Sequence, residues 1–320
     1  MKMLKRLGLT IVVVGLLFAL LVYKRPVWVY LQATHFGLFL SHIQSNYVMT
    51  PEGRVHYYEA EPRIPGGGIP LVLVHGLADR SETWAAMMKR LTRAGFHVYA
   101  PDLLGAGRSP QPSDSDYSVS TEEQFVVDFI QALGLQRPNV GGNSMGGWVV
   151  LKLAADHPDL VDRVIVYNSA GLRYQIGGGP NIFHPADGAD LQRLGSLLEP
   201  NAKPLAQFIR RDALRVFQEN QWVTDKAMTS MESGKDLLDD KLNGFSRPLL
   251  IVWGRDDQLL PFEEALKFHS LVPSSELDVL QGCGHLAPKT CTPRVAAATA
   301  DFLKANPAPQ GATRTLTSMH

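Results

Sequence analysis

The chain has 320 residues, of which 31 are Lys or Arg and 31 are Asp or Glu, so its formal net charge is zero. This balance argues against nucleic acid as a partner, and the length is sufficient for a large buried core. The two cysteines, Cys283 and Cys291, are too few for a disulfide framework and lack metal-ligand spacing. We therefore interpret both cysteines as packing residues.

An uncharged apolar stretch occupies residues 7–23, with Lys and Arg residues on both sides of it. This length is close to the lower limit of roughly 17 to 25 residues for a spanning helix, and it exceeds the apolar part of a signal peptide. No small-residue cleavage site follows the stretch. We predict an uncleaved signal anchor over residues 1–25, with a cleaved signal peptide as the alternative. The flanking charges slightly favour a single pass that leaves the main domain on the extracytoplasmic side, and they leave the opposite orientation open.

Residues 26–50 form a predicted amphipathic linker rich in aromatic side chains. Trp28, Tyr30, Phe36 and Phe39 are interspersed with polar residues. Amphipathic rings favour the headgroup region of a bilayer, which suits an interfacial helix. A helix packed against the globular domain is an equally good interpretation.

Strand and helix patterns alternate over residues 51–305, which predicts an α/β fold with a mostly parallel sheet covered on both faces. Residues 172–244 contain helical patterns and no convincing strand, and we expect this insertion to form a cap over the carboxyl ends of the strands. The tail, residues 306–320, is small and polar and is predicted to be disordered. Strands are predicted at residues 54–59, 70–74, 96–100, 161–167, 248–253 and 276–280, with a further one leading from Val140 to residue 143.

The segment Gly142-Asn143-Ser144-Met145-Gly146 has the G-x-S-x-G pattern, and a helix-forming stretch follows it. In a nucleophile elbow the glycines allow a sharp strand-to-helix turn that leaves the serine hydroxyl exposed. We predict that Ser144 is a nucleophile. Cys283 is the weaker alternative.

A serine nucleophile requires a base and an acid that orients the base. His285 follows a late strand in a glycine-rich turn, and it is the predicted general base. Asp256 and Asp257 both follow another late strand, and position alone does not choose between them. The N–H groups of Met145 and Leu77 are predicted to form the oxyanion hole.

Taken together, these motifs resemble those of α/β-hydrolases of the lipase and esterase kind, over residues 54–305. The resemblance implies that Asp257 is the acid, because the family's acid stands three residues after the glycine of the W-G turn. It also implies that the turn from Asp102 to Ser109 is structural. From its position beside Leu77, His75 is expected to brace the oxyanion loop rather than to react. The matching pieces are His75-Gly76 with Trp84, Asp102 to Ser109, the elbow, Trp253-Gly254-Arg255-Asp256-Asp257, and Gly284-His285.

The apolar amino-terminal stretch and the short oxyanion loop are similar to those of membrane-anchored monoacylglycerol lipases and of bacterial lipases. The resemblance implies a serine hydrolase of lipid esters such as mono- or triacylglycerols, which needs no metal or organic cofactor. Two alternatives remain, a carbon–carbon bond hydrolase of the meta-cleavage-product type and an inactive α/β-hydrolase fold that only binds a ligand. We further expect the cap to cover the site with the apolar side chains Leu205, Phe208, Ile209 and Phe217.

Overall fold

A computed structural model describes residues 2–64, 66–174 and 176–317. Within these ranges the chain forms eleven α-helices and nine β-strands. The helices are α1 (Lys2–Lys24), α2 (Pro26–Leu40), α3 (Ala85–Arg93), α4 (Val119–Ala132), α5 (Met145–Asp156), α6 (Gly188–Leu198), α7 (Gln207–Glu219), α8 (Gln221–Glu232), α9 (Phe262–Leu271), α10 (Ala287–Thr290) and α11 (Thr292–Lys304). The strands are β1 (Gln44–Thr50), β2 (Gly53–Ala60), β3 (Ile69–Val74), β4 (Phe96–Pro101), β5 (Asn139–Asn143), β6 (Val164–Tyr167), β7 (Leu249–Gly254), β8 (Glu276–Leu280) and β9 (Thr313–Leu316).

The described strands form one sheet in the order β1-β2-β4-β3-β5-β6-β7-β8-β9. Strands β1 and β2 are antiparallel to their neighbours, and all other pairs are parallel. The predicted α/β fold with a mostly parallel sheet is therefore confirmed.

Strand β3 explains why the sheet is buried on both faces. Its side chains alternate between two cores: Val72 packs in the cluster that contains Trp148, while Leu71 packs in the cluster that contains Trp84. All four of these side chains are at most 2% exposed. A continuous apolar run therefore suits a central parallel strand, since each face needs an apolar side chain.

Both outer strands of the sheet were missed by the sequence prediction. Strand β1 lies inside the segment interpreted as a linker, and β9 lies inside the tail interpreted as disordered. The hydrolase domain therefore extends beyond the predicted residues 51–305. Met1 and residues 318–320, which belong to the predicted anchor and tail, lie outside the described residues.

Strand β9 is held by ionic contacts as well as by backbone pairing. The Arg314 guanidinium donates to both carboxylate oxygens of Asp278 at 2.7 Å, and it lies 2.5 Å from Glu276. Both acidic residues are buried on β8. Such contacts involve residues far apart in sequence, so the polar composition of the tail did not reveal them.

Helix α1 is the one described helix that is long and apolar enough to cross a membrane, over Arg6–Lys24, with a mean hydropathy of 2.3. None of this segment is buried against the rest of the chain. Helix α2 packs partly on the domain, because Leu38 is 1% exposed, yet Trp28, Tyr30, Phe36 and Phe39 are each at least 49% exposed. Helix α2 therefore has features of both predicted interpretations.

Helices α6, α7 and α8 lie between β6 and β7 in the chain, where the cap insertion was predicted. Helix α7 touches the amino-terminal helices: Phe208 stacks on Tyr23 of α1 with ring centroids 5.6 Å apart. The buried carboxylate of Asp212 accepts a hydrogen bond of 3.0 Å from the N–H of Val27 in α2. The cap is thus attached to the start of the chain as well as to the sheet.

Candidate active site

Ser144 stands in a strained turn between β5 and α5, with a φ angle of +56°. A side chain at Gly142 would collide with the backbone of Gly146, and one at Gly146 would collide with the backbone of Val74. The glycines therefore permit the strand, the turn and the helix to approach each other closely. The local backbone is that of a nucleophile elbow.

His285 lies in the loop after β8 and is 2% exposed. Its main-chain N–H donates to the carbonyl of Leu198 at 2.8 Å, and its Nδ1 lies 2.8 Å from Asp257 Oδ2. A carboxylate can only accept at neutral pH, so Nδ1 carries the proton and Nε2 has a free lone pair. The imidazole is thus held in the tautomer that a general base requires.

The two candidate acids occupy different environments. Asp257 is 6% exposed, and its Oδ1 accepts hydrogen bonds of 2.9 Å from the N–H groups of Leu259 and Leu260. Asp256 is half-buried and its side chain makes no hydrogen bond to His285. The structure therefore brings Asp257, and not its neighbour, against His285.

Asn168 is a further polar residue at this site, to which the sequence analysis gave no role. Its amide nitrogen lies 2.6 Å from Asp257 Oδ2, and its amide oxygen accepts from the Gly254 N–H at 3.3 Å. It has a positive φ of 46°, a conformation that asparagine tolerates better than most residues. An asparagine directly after β6, where carboxyl ends of parallel strands meet, is the signal that could have identified it.

The loop that is predicted to form the oxyanion hole follows β3 and lies close to the elbow. A Cβ at Gly76 would be 3.1 Å from Ser144 Cβ, so glycine permits this close approach without displacing the serine. Within the described part of the chain, neither the Leu77 N–H nor the Met145 N–H donates a hydrogen bond. These two donors are therefore available to a bound ligand.

His75 holds the oxyanion loop in place. Its Nε2 accepts from the Leu103 N–H at 3.0 Å, and its Nδ1 donates to the Gly76 carbonyl at 2.9 Å. Both ring nitrogens are therefore used, and the side chain is buried. This geometry is that of a bracing residue.

Asp102, which follows β4, anchors the neighbouring turn. Burial alone would raise its pKa, but hydrogen bonds from His56 and Ser81 outweigh that effect and lower the pKa to about 2. His56 lies 2.7 Å from one oxygen, and the Ser81 hydroxyl and N–H bind the other at 2.6 and 2.9 Å. The carboxylate is fully used in structural hydrogen bonds.

A cavity of about 550 Å³ opens at Ser144. Most of its lining is apolar, and Arg173 and Glu232 are its charged lining residues. The larger apolar side chains of the lining are Leu77, Trp148, Leu172, Ile176, Phe183, Met228, Met231, Leu237, Leu259 and Leu260.

The prediction of which cap side chains cover the site is wrong. Leu205 is 47% exposed, Phe208 stacks on Tyr23, and Ile209 does not line the cavity at Ser144. Phe217 lines a second, smaller cavity instead. The physical reason is that Phe208 of α7 packs on α1, whereas Met228 and Met231 of α8 line the cavity at Ser144.

The interpretation of the cysteines as packing residues is also wrong, because Cys283 and Cys291 form a disulfide. The bond closes a short loop that contains His285. Two cysteines suffice for one bridge, and they approach each other because the segment between them, which includes α10, turns back on itself. Within the described residues, no group of three or more His, Cys, Asp or Glu side chains could hold a metal ion.

Comparison with known sequences identifies one family, and the relatives include both a semialdehyde hydrolase and a lipase. The alpha/beta hydrolase fold family matches residues 69–193. An uncharacterized protein of Mycobacterium tuberculosis is 30% identical over 266 residues, covering 72% of this chain and 74% of that protein. A 2-hydroxymuconate semialdehyde hydrolase of a Pseudomonas species is 27% identical, covering 74% and 88%. Lipase 1 of Psychrobacter immobilis is 27% identical, covering 68% and 72%.

Solved structures share the fold over most of the chain. A membrane phospholipase A superimposes with a TM-score of 0.78 at 23% identity, covering 93% of this chain and 98% of that one. A meta-cleavage product hydrolase of Pseudomonas fluorescens superimposes with a TM-score of 0.72 at 21% identity, covering 82% and 98%. At these identities the likeness extends to the fold alone.

Proposed function

Because this chain belongs to the α/β-hydrolase family, we propose that it is a serine hydrolase that cleaves carboxylic esters through an acyl-enzyme intermediate. The observation that carries the proposal is the buried hydrogen bond between His285 and Asp257, at the same edge of the sheet as the strained turn of Ser144. A serine is a poor nucleophile until such a base removes its proton.

In the proposed reaction, Ser144 Oγ attacks the ester carbonyl while His285 Nε2 takes the hydroxyl proton. The N–H groups of Leu77 and Met145 stabilise the oxyanion of the tetrahedral intermediate. His285 then gives its proton to the departing alcohol, and the acyl group stays on Ser144. Water, deprotonated by His285, attacks the acyl-enzyme and releases the carboxylic acid, while Asp257 stabilises the imidazolium in both steps.

The cavity at Ser144 supports a lipid ester, such as a mono- or triacylglycerol, as the substrate. Its apolar walls suit an acyl chain, because burying each methylene stabilises binding by roughly 0.8 kcal/mol. The relative Lipase 1 agrees with this choice. The apolar helix α1 would also keep the domain close to lipid.

A carbon–carbon bond hydrolase acting on a vinylogous diketone is the second candidate. The match to a 2-hydroxymuconate semialdehyde hydrolase, which covers 88% of that protein, favours it. Assaying one purified sample against p-nitrophenyl esters, monoacylglycerols and a vinylogous diketone separates the two candidates. Turnover of the diketone alone would refute the ester proposal.

The most direct test of the proposed nucleophile is labelling with a fluorophosphonate probe. The wild type should be labelled and inhibited, and Ser144→Ala should be neither labelled nor active while keeping its circular dichroism spectrum. An unlabelled wild type would instead support the inactive, ligand-binding alternative.

We further propose that α1 is an uncleaved anchor and that the catalytic domain lies on the extracytoplasmic side. The Cys283–Cys291 disulfide supports this side, because disulfides persist in oxidising compartments. Alkaline carbonate extraction of membranes tests the anchor, and proteolysis of intact spheroplasts tests the orientation. Full release of the intact chain, or protection of the domain from protease, would contradict the corresponding half of this proposal.

A further inference from the structure

A separate cavity, of about 520 Å³, lies where the cap meets the end of the apolar helix α1. Tyr23 lines it from α1, Asp187 and Gly188 line it from the start of α6, and Arg210 and Arg211 line it from α7. Among the described residues, none lines both this cavity and the one at the proposed nucleophile. A ligand in this space, the cavity at Tyr23, would therefore occupy a site of its own.

Arg210 carries a buried hydrogen-bond donor that no described residue accepts. Its side chain is half-buried, and its Nε is buried without a hydrogen-bond partner among the described residues. The start of α6 is close to it, because a Cβ at Gly188 would lie 3.6 Å from Arg210 Cβ. Burying a donor of a charged group without an acceptor costs free energy, and an acceptor from outside the chain would remove that cost.

The acidic residues around the cavity are already held by other groups. The Asp187 carboxylate accepts hydrogen bonds of 2.7 and 3.0 Å from two N–H groups in the first turn of α6. Asp190, in the same turn, lies 3.7 Å from Arg193. The buried Asp212 carboxylate accepts bonds of 3.0 and 2.9 Å from Arg215. The donors in all of these contacts are groups other than the two arginines of the cavity.

Arg211 places a second cation at the end of α1. Its guanidinium lies 5.2 Å from the centre of the Tyr23 ring and donates to the Tyr23 carbonyl at 3.4 Å. The lining thus contains two arginines and one aspartate, which leaves a net positive charge. Lys24 and Arg25, directly after Tyr23 in the chain, are exposed and add to it. This distribution of charge attracts an anion.

The cavity at Tyr23 lies at the level that lipid headgroups would occupy. The apolar segment Arg6–Lys24 of α1 is not buried by the rest of the chain, and Tyr23 is its next-to-last residue. Tyrosine rings favour the boundary between membrane and water. Basic pockets beside membrane helices bind anionic headgroups at that boundary. A lipid headgroup could therefore enter the cavity without leaving its bilayer.

We propose that the cavity at Tyr23 binds the phosphate of an anionic phospholipid, with Arg210 and Arg211 as its hydrogen-bonding residues. A guanidinium offers paired N–H groups that match two phosphate oxygens. A headgroup without an ammonium is favoured, since the positive lining repels a second cation. The volume of about 520 Å³ is within the usual range for small-molecule sites, roughly 300–1,000 Å³. This inference rests on the proposed anchor and not on ester hydrolysis.

The test measures how an ether-linked phosphatidylglycerol binds to the full chain in a nonionic detergent micelle, by native mass spectrometry. Ether linkages prevent hydrolysis of the probe. Arg210→Gln should weaken binding about tenfold, because a charged hydrogen-bond donor is lost. Arg210→Lys keeps the charge but not the paired N–H groups, and it should weaken binding several-fold. Ether-linked phosphatidylcholine should bind the wild type more weakly than the phosphatidylglycerol does.

Arg193→Gln is the matched control, because it removes the same charge from an exposed position of the same cap. It should leave binding within about twofold of the wild type. Circular dichroism shows whether each variant is folded. If Arg210→Gln does not fold, Arg211→Gln, at an exposed position of the cavity, decides by the same comparison and should weaken binding several-fold.

Unchanged binding in the cavity variants, or the same loss in Arg193→Gln, would overturn the inference. Equal binding of the two lipids would overturn the preference for an anionic headgroup. Inorganic phosphate is the other source of the same group, and displacement of the lipid by an equal concentration of it would overturn the choice of a lipid.

The proposed anchor and this site can fail separately. If carbonate releases the chain while lipid binding still depends on Arg210, only the anchor is refuted. If the chain resists extraction while binding does not depend on Arg210, only this inference is refuted.

Discussion

The side-chain amide of Asn143 donates a hydrogen bond of 3.3 Å to the main-chain carbonyl of His285, across 142 residues of sequence. The same amide donates to the carbonyl of Tyr167 at 2.8 Å. Asn143 is the residue directly before Ser144, and it is 5% exposed. One buried side chain thus connects the strand that carries the proposed nucleophile to the loop that carries the proposed base.

We predict that Asn143→Leu lowers kcat by at least tenfold and the free energy of unfolding by about 1–3 kcal/mol. The stability loss is expected because two buried carbonyls lose a donor, and the kcat loss because the loop of His285 is released from the elbow. Ester hydrolysis and urea denaturation measure the two effects.

Asn139→Leu is the matched control for this prediction. Asn139 lies at the start of the same strand, is 4% exposed, and donates to the Pro70 carbonyl at 3.2 Å. Its replacement should also cost stability, but it lies at the opposite end of β5 from Ser144 and should leave kcat nearly unchanged. Equal kcat losses in both variants would show that the link between Asn143 and His285 has no special role.

Replacing the two adjacent aspartates by asparagine should have very different effects. Asp257→Asn should lower kcat by about 10⁴, as in other serine hydrolases, because an amide does not stabilise the imidazolium and can favour the wrong tautomer. Asp256→Asn should reduce kcat less than about threefold, since its side chain does not contact His285. Steady-state hydrolysis of a p-nitrophenyl ester measures both, and the reverse ranking would contradict the proposed roles.

The sequence sufficed to predict the central sheet, and it led to the candidate site residues, because both have strong local signals. Buried parallel strands appear as continuous apolar runs, and the elbow is defined by glycines within five positions of Ser144. The choice of Asp257 over Asp256 came from a family resemblance rather than from the residues themselves. The structure adds the physical distinction, which is a buried carboxylate that binds two N–H groups and His285.

The features that were missed depend on contacts between distant or weakly patterned segments. Strand β1 joins the sheet through backbone bonds, and its side chains are mostly polar and partly exposed. The orientation of α7 depends on its contacts with α1 and α2, such as that of Phe208 with Tyr23. Hydrophobic periodicity identifies an apolar helix face but does not identify the surface that covers it.

We predict that replacing both Cys283 and Cys291 by serine lowers the free energy of unfolding by roughly 2–3 kcal/mol. The estimate is the entropy that a short cross-linked loop removes from the unfolded chain. Thermal denaturation with and without dithiothreitol measures it, and the reductant should destabilise the wild type but not the double variant. Two free thiols titrated in protein purified from its native host without reductant would contradict the bridge.

The last prediction concerns acyl chain length, and it follows from the residues that line the cavity at Ser144. With roughly 0.8 kcal/mol for each buried methylene, kcat/KM should rise up to about fourfold per added carbon until the cavity is full. Met231→Trp should fill part of the cavity and shift the optimum to shorter chains, because Met231 lines it from α8. Leu205→Trp is the matched control, since Leu205 belongs to the same cap but is exposed. The measurement is kcat/KM for p-nitrophenyl esters of two to twelve carbons at monomeric concentrations. A flat profile, or the same shift in both variants, would mean that these side chains form only the interior of the cap and do not bind the acyl chain.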